Sequence, residues 1–285
     1  MGMSVNTNVG AMMALQSLSA TNKSLSVTQG RINTGLNVAS TKDNSANFTI
    51  AQTLRGDLGG LQAVSASLSR AKSVTDVAVA GAESISDVVN EMKALAYQAA
   101  DAGIDQASRD AINEDFKSLR DQITTIVDSS EFNGTNLLKA GGGDVTALQS
   151  LQDGDTTSAA TWDPDSLSVT NQGLDLGGAV VTVADTDEIA TQATAQAMID
   201  TLEATQTNLS STLSTLGSSS RKIDAQAEFT SKLSDVIEAG IGNLVDADLA
   251  KESAKLQALQ VKQQLGVQAL SIANQAPQTV ISLFR

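Results

Sequence analysis

The chain of 285 residues contains no cysteine, no histidine, two prolines and seven aromatic residues (one Trp, one Tyr, five Phe). Each shortage removes a class of chemistry. Without cysteine there is no disulfide framework and no thiolate metal site. Without histidine there is no imidazole general base, no Ser–His pair and no HExxH zinc motif. Positive charge is also scarce: 18 Lys and Arg face 32 Asp and Glu, a net charge of −14. Such a surface repels nucleic-acid phosphate and anionic lipid, so neither nucleic acid nor membrane is expected as a partner. No apolar run approaches the roughly 18 residues of a membrane span. Met1-Gly2-Met3-Ser4 lacks a basic stretch followed by an apolar block, so no cleaved signal peptide is expected. The acidity has a plain use too, in keeping an abundant protein soluble.

What the sequence has instead is apolar spacing of alternating three and four, the seam of packed helices. A first seam reads Ala11, Leu15, Leu18, Asn22, Leu25, Gln29, Ile32, Leu36, with Asn6 or Thr7 as N-cap. Residues 37–47 are polar and aperiodic, a loop. A second helical block begins before Arg55, locally weakened by Gly56, Gly59 and Gly60. Its seam runs through Leu61, Val64, Leu68, Ala71, Thr75, Ala78, Ala82, Ile85, Val89, Met92, Ala96 and Ala99. Asp101–Gly103 is a turn, and Ser108 with Asp110 and Glu114 suits the next helix start. That helix ends before Asn133–Gly134, a strong turn pair. Residues 140–187 are rich in Gly, Asp, Ser and Thr, with period-2 fragments that predict one or two hairpins.

Helical spacing returns from about Ile189 to Leu244. The last helix carries two seams: Val245, Leu249, Glu252, Leu256, Leu259, Gln263, Gly266, Leu270, and Ala254, Ala258, Val261, Leu265, Ile272. They lie about 200° apart around the helix. A helix apolar on two opposed sides must be covered on both. Pro277 is expected to end regular helix, leaving the apolar tail Val280–Arg285 for burial by something else. The fold class expected is mainly α: a long antiparallel coiled-coil bundle from both chain ends, with a small β/turn-rich middle segment. The physics alone points to an assembly protein.

Several motifs add to this reading. Asn6-Thr7-Asn8-Val9, Arg31-Ile32-Asn33-Thr34-Gly35-Leu36 and Ala39-Ser40-Thr41-Lys42-Asp43-Asn44 resemble the N-terminal region of bacterial flagellins. Phe132-Asn133-Gly134-Thr135-Asn136-Leu137-Leu138 resembles their mid-chain motif. Asp246–Glu252, Gln263–Gly266, Ala273–Gln278 and Leu283-Phe284-Arg285 resemble their C-terminus, with an alphaproteobacterial flavour. The resemblance covers about residues 3–138 and 190–285. It implies a structural subunit of the flagellar filament, outside the cell, with no enzymatic role and no cofactor or metal. The hook–filament junction protein, of similar architecture, is the alternative; a surface adhesin or immune ligand is a further one.

The resemblance also implies a domain plan: 3–45 with 243–285 as the inner coiled-coil core, 46–139 with 188–242 as an outer helical domain, and 140–187 as a short variable surface segment. Implied partners are further copies in a helical homopolymer, the cap and hook–filament junction proteins, an export chaperone and the type III export apparatus. Threading an unfolded chain through an export channel suits a sequence with no cysteine and few slow X-Pro bonds. The inner interface is expected to use Leu15, Leu18, Leu25, Ile32, Leu36, Leu249, Leu256, Leu259, Leu265, Leu270, Leu283 and Phe284. The Gly56–Gly60 stretch and the 37–47 loop are expected to absorb changes between subunit packings. From the residues themselves, Arg31 and Lys42–Asp43 are candidates to pair with acids of adjacent subunits, in a minor specificity role because surface ion pairs are weak.

In relatives, a vertebrate toll-like receptor recognises a surface that corresponds here to Glu91, Leu95 and Asp115. Glu91 stands where a basic residue is common, so weak activation is expected. O-glycosylation, common in the family, would have candidates in Ser129, Ser130, Thr135, Thr146, Thr156 and Thr161 on the expected outer surface. Asp153-Gly154-Asp155 lacks the spaced acids of a calcium loop and reads as a turn.

Overall fold

The computed structural model describes residues 7–153 and 164–282. The elements in order are α1 (Val9–Thr34), α2 (Ser45–Ala99), α3 (Gln106–Ser129), β1 (Val145–Asp153), β2 (Pro164–Val169), α4 (Gln192–Val245) and α5 (Leu249–Ser282). The protein is thus mainly helical, with one small antiparallel hairpin among the described residues. Two compact units emerge. One is drawn from the chain ends, up to Gly56 and from Val236 onward; the other is Asp57–Asp235. The middle segment packs into the second unit.

In the chain-end unit, α1 and α5 run antiparallel. Asn8, not Asn6 or Thr7, caps α1: its Oδ1 accepts the Ala11 N–H at 3.0 Å. Gly35 closes the helix in the left-handed conformation (φ 72°), which only glycine adopts freely. The chain then meets the end of α4. The Asn37 and Val38 N–H groups donate to Val245 O, and Ala247 N–H donates to Gly35 O. Val38, Ala51, Ile241 and Val245 form a small buried core there, backed by Leu36 and Phe48.

Val245 and Leu249 do not share a helix, contrary to the single seam read across them. Asp246–Asp248 interrupts, and Asp248 Oδ1 accepts Lys251 N–H to start α5. The second departure lies at Pro277: α5 continues through it to Ser282. Proline leaves the carbonyl four residues earlier without its helical donor. Here that carbonyl, Ala273 O, accepts the Asn8 Nδ2–H at 2.7 Å, so the carbonyl keeps a partner although the helix has lost its own donor.

In the second unit, every seam residue of α2 from Leu61 to Ala99 is buried. Phe116, Ile123, Leu202, Leu209 and Leu216 complete the core. α4 turns a slightly different face inward than its sequence seam suggests: Met198, Thr205 and Thr212 are buried where Ile199, Gln206 and Leu213 are half-buried. α3 starts at Asp105, whose carboxylate accepts Ser108 N–H at 2.6 Å, rather than at Ser108 itself. Buried Arg109 fastens the preceding turn, donating to Ala99 O, Asp101 O and Gln106 Oε1.

The Asn133–Gly134 pair makes a tight turn with φ of 53° and 83°, closed by reciprocal hydrogen bonds between Phe132 and Thr135. After it, Asn136 donates to Val127 O and accepts Leu138 and Lys139 N–H. Of the expected hairpins one forms, pairing Val145 with Val169 through Leu148 with Ser166. The Val180–Val183 fragment is irregular backbone whose Val181 and Val183 fill the core.

Candidate functional site

The strongest candidate is the surface of the α1–α5 pair. Between the helices the contact positions are Ala14, Leu18, Thr21, Leu25, Thr28 and Ile32 on α1, against Glu252, Leu256, Leu259, Gln263, Gly266 and Leu270 on α5. The α5 register is the first of its two seams. The α1 register differs by one position from the sequence reading at three points: Ala14, Thr21 and Thr28 face inward, while Leu15, Asn22 and Gln29 are exposed. Asn22 Oδ1 still reaches across to accept Gln263 Nε2–H at 2.8 Å. Gly266 allows the close approach: a β-carbon there would stand 3.2 Å from Leu18 Cδ1.

One charged group is buried in this seam. Glu252 accepts from Arg31 at 3.2 Å, with Lys255 at 3.5 Å. Burial works to raise its pKa; the adjacent Thr28 hydroxyl, the Arg31 hydrogen bond and the two cationic charges outweigh burial and hold the carboxyl below its usual range. Glu252 Oε2 and Thr28 Oγ1 are buried short of regular hydrogen-bond geometry. Arg31 thus has an acidic partner within its own chain. Asp43 is likewise engaged locally, accepting from Ser40 and the Ala39 N–H.

The second α5 seam faces away from α1. Val261 is 56% exposed, Leu265 58% and Ile272 69%. On α1, Met12, Met13 and Leu15 are exposed too, as is Leu249 at the start of α5. Of the expected interface residues, Leu18, Leu25, Ile32, Leu36, Leu256, Leu259 and Leu270 are half-buried within this unit. Leu15, Leu249 and Leu265 are open, and Leu283 and Phe284 lie outside the described residues.

The second unit brings Glu91 and Leu95 of α2 beside Asp115 of α3, lining one shallow groove with Ala94, Ser118 and Leu119. Both carboxylates are exposed. Among the glycosylation candidates, Ser129 and Thr146 are exposed and Thr135 half-buried. Ser130 departs from the expected surface placement: it is buried, donating to Ile126 O at 2.7 Å. Thr156 and Thr161 lie outside the described residues, as do Gly154 and Asp155. Among the described residues no cluster of acidic groups is spaced for a metal ion, and no helix is long and apolar enough to cross a membrane.

These features define an α-helical structural protein whose terminal pair keeps an uncovered apolar stripe. Residues 5–141 match the bacterial flagellin N-terminal helical region, and residues 199–284 match the bacterial flagellin C-terminal helical region. The chain belongs to the bacterial flagellin family, structural proteins of the flagellar filament outside the cell. It is 45% identical to flagellin FljM of Caulobacter vibrioides, over 99% of this chain and 98% of that one. It is 35% identical to a flagellin of Brucella melitensis, over 99% of each. Among solved structures, a flagellar hook-associated protein from Vibrio parahaemolyticus shares the fold, with a TM-score of 0.53 at 14% identity over 72% of this chain and all of that one.

Proposed function

We propose that this flagellin enters the filament by burying the second seam of α5 and the open face of α1 against neighbouring copies. The supporting observation is the exposed Val261–Leu265–Ile272 stripe, opposite the face that α1 already covers. A free monomer gains nothing from it, whereas a neighbour laid along it removes three large side chains from water, at about 1.5–3 kcal/mol each when fully buried. Contacts of this kind do not close on themselves, so copies grow into a helix. On this reading residues 3–45 and 243–285 form the filament's inner core, 46–139 and 188–242 the outer layer, and 140–187 the surface segment. Folding of the chain ends completes only on addition. Before that step the ends are held by an export chaperone, pass through the type III apparatus, and add beneath the cap beyond the hook–filament junction.

Seeded elongation tests the interface. Purified chain is added to filament fragments, followed by negative-stain microscopy and circular dichroism. The expected result is long tubes with helicity rising on assembly, and a Leu265→Glu variant that fails to extend seeds. Wild-type chain that stays folded and never extends a seed would move the assignment to the junction protein.

A further inference from the structure

Away from the terminal helices, one cavity of the second unit collects polar groups that the fold leaves unused. It opens where α2 meets the 132–135 turn and the start of β1, with a volume of about 230 Å3. Arg70 lines it. Arg70 is exposed, and among the described residues its guanidinium has no ion pair and no hydrogen bond, in a chain with 32 acidic residues. The less exposed arginines of this unit are engaged, Arg109 with two carbonyls and an amide and Arg120 with Asp121 and Asp187 O, whereas exposed Arg221 is as open as Arg70 but does not line this cavity. Asn133, Thr135 and Thr146 line the same cavity, and among the described residues none of their side chains makes a hydrogen bond. Phe132, 40% exposed, adds an apolar wall. The cavity's one acid is Asp144; its Oδ1 accepts the Asn171 N–H at 2.7 Å, which holds the carboxylate at the rim without cancelling its charge, so the incoming carboxylate has to be held by Arg70 and the neutral donors.

A guanidinium presents a planar fork that matches a carboxylate with two parallel hydrogen bonds. Amide and hydroxyl donors beside it suit the same oxygens. We propose that the Arg70 notch receives an Asp or Glu side chain of a second copy of this chain. Charge selects that occupant. A copy carrying −14 offers carboxylates over much of its surface, and a polymer holds them beside the notch at high effective concentration. The notch is large enough for one such side chain and its flanking backbone. This inference rests on the filament reading.

The test uses the full chain. Wild-type protein is first shown to extend seeds; its failure to do so would overturn the filament reading and this one together. Arg70→Ala and Arg70→Glu are then compared for monomer melting and for critical concentration. Unchanged monomer melting is expected, with a critical concentration raised about tenfold or more by Arg70→Glu and less by Arg70→Ala. An Arg70→Lys variant supplies the second readout. A carbodiimide joins an amine to a carboxylate as an amide, the lost water being taken up by the reagent. Assembled Arg70→Lys filaments should give an intermolecular cross-link at position 70 to an acidic peptide, absent from monomers. Variants that elongate like wild type without that cross-link would overturn the proposal, as would a monomer destabilised by Arg70→Ala.

Discussion

Asn8 uses both ends of its amide. Its oxygen caps α1, and its Nδ2 donates to Ala273 O, the carbonyl that Pro277 deprives of a helical partner. Asn8→Ala should therefore cost more than an ordinary cap, on the order of 1–3 kcal/mol, because a carbonyl is orphaned as well. In a Pro277→Ala background the same change should cost less, since the restored N–H serves that carbonyl. A double-mutant cycle on filament thermal stability measures the coupling, and strictly additive effects would sink the idea. Glu252 supplies a pH prediction. Its carboxyl is held below the usual range, so its stabilisation is present above the unfolded-state pKa and is lost as pH falls through the lower folded value. Acid titration of filaments by sedimentation should show a loss of α1–α5 stability in that window, and Glu252→Gln should flatten it.

Two glycines on α2 should respond to alanine with opposite sign. Gly56 is exposed with nothing within 4 Å of where a β-carbon would sit, and its helix runs through the position unbroken. Gly56→Ala should stabilise by about 0.5–1 kcal/mol. Gly81 is buried, and a β-carbon there would strike the Ser130 hydroxyl and Leu138. Gly81→Ala should destabilise by about 1–3 kcal/mol. Denaturant melts of the two variants give both signs at once. Gly60 belongs with Gly81, since a β-carbon there would lie 2.6 Å from Leu151 Cδ2. The Gly-rich stretch thus contains both a packing glycine and free ones. Any hinge role falls to Gly56 and Gly59, both open, and straight-locking substitutions that never map near them or the 37–47 loop would dismiss it.

For the molecule as a whole, surface charge shapes what it meets. The groove of Glu91, Leu95 and Asp115 carries two exposed carboxylates and no cation among its lining residues. A receptor surface suited to a basic residue at position 91 meets repulsion there. Weak toll-like receptor activation by purified monomer is expected, rising with Glu91→Arg; strong signalling by the wild-type chain would refute this.

Helix content, the α2 core positions, the Asn133–Gly134 turn and the two-sided character of α5 were all legible in the sequence, because each follows from local spacing or from a residue's own backbone preference. The family was legible from its motifs. Other features were decided only when distant residues met. Spacing of three and four admits neighbouring registers, and the position of α5 selects Thr21 and Thr28 over Asn22 and Gln29 for the α1 seam. Proline reads as a helix end until Asn8, 265 residues from Ala273, supplies the missing donor. Arg31 and Glu252 are 221 residues apart, and the Arg70 notch draws on three separate segments. Periodicity is a property of neighbours along the chain, whereas register, pairing and cavities belong to surfaces that exist only after folding.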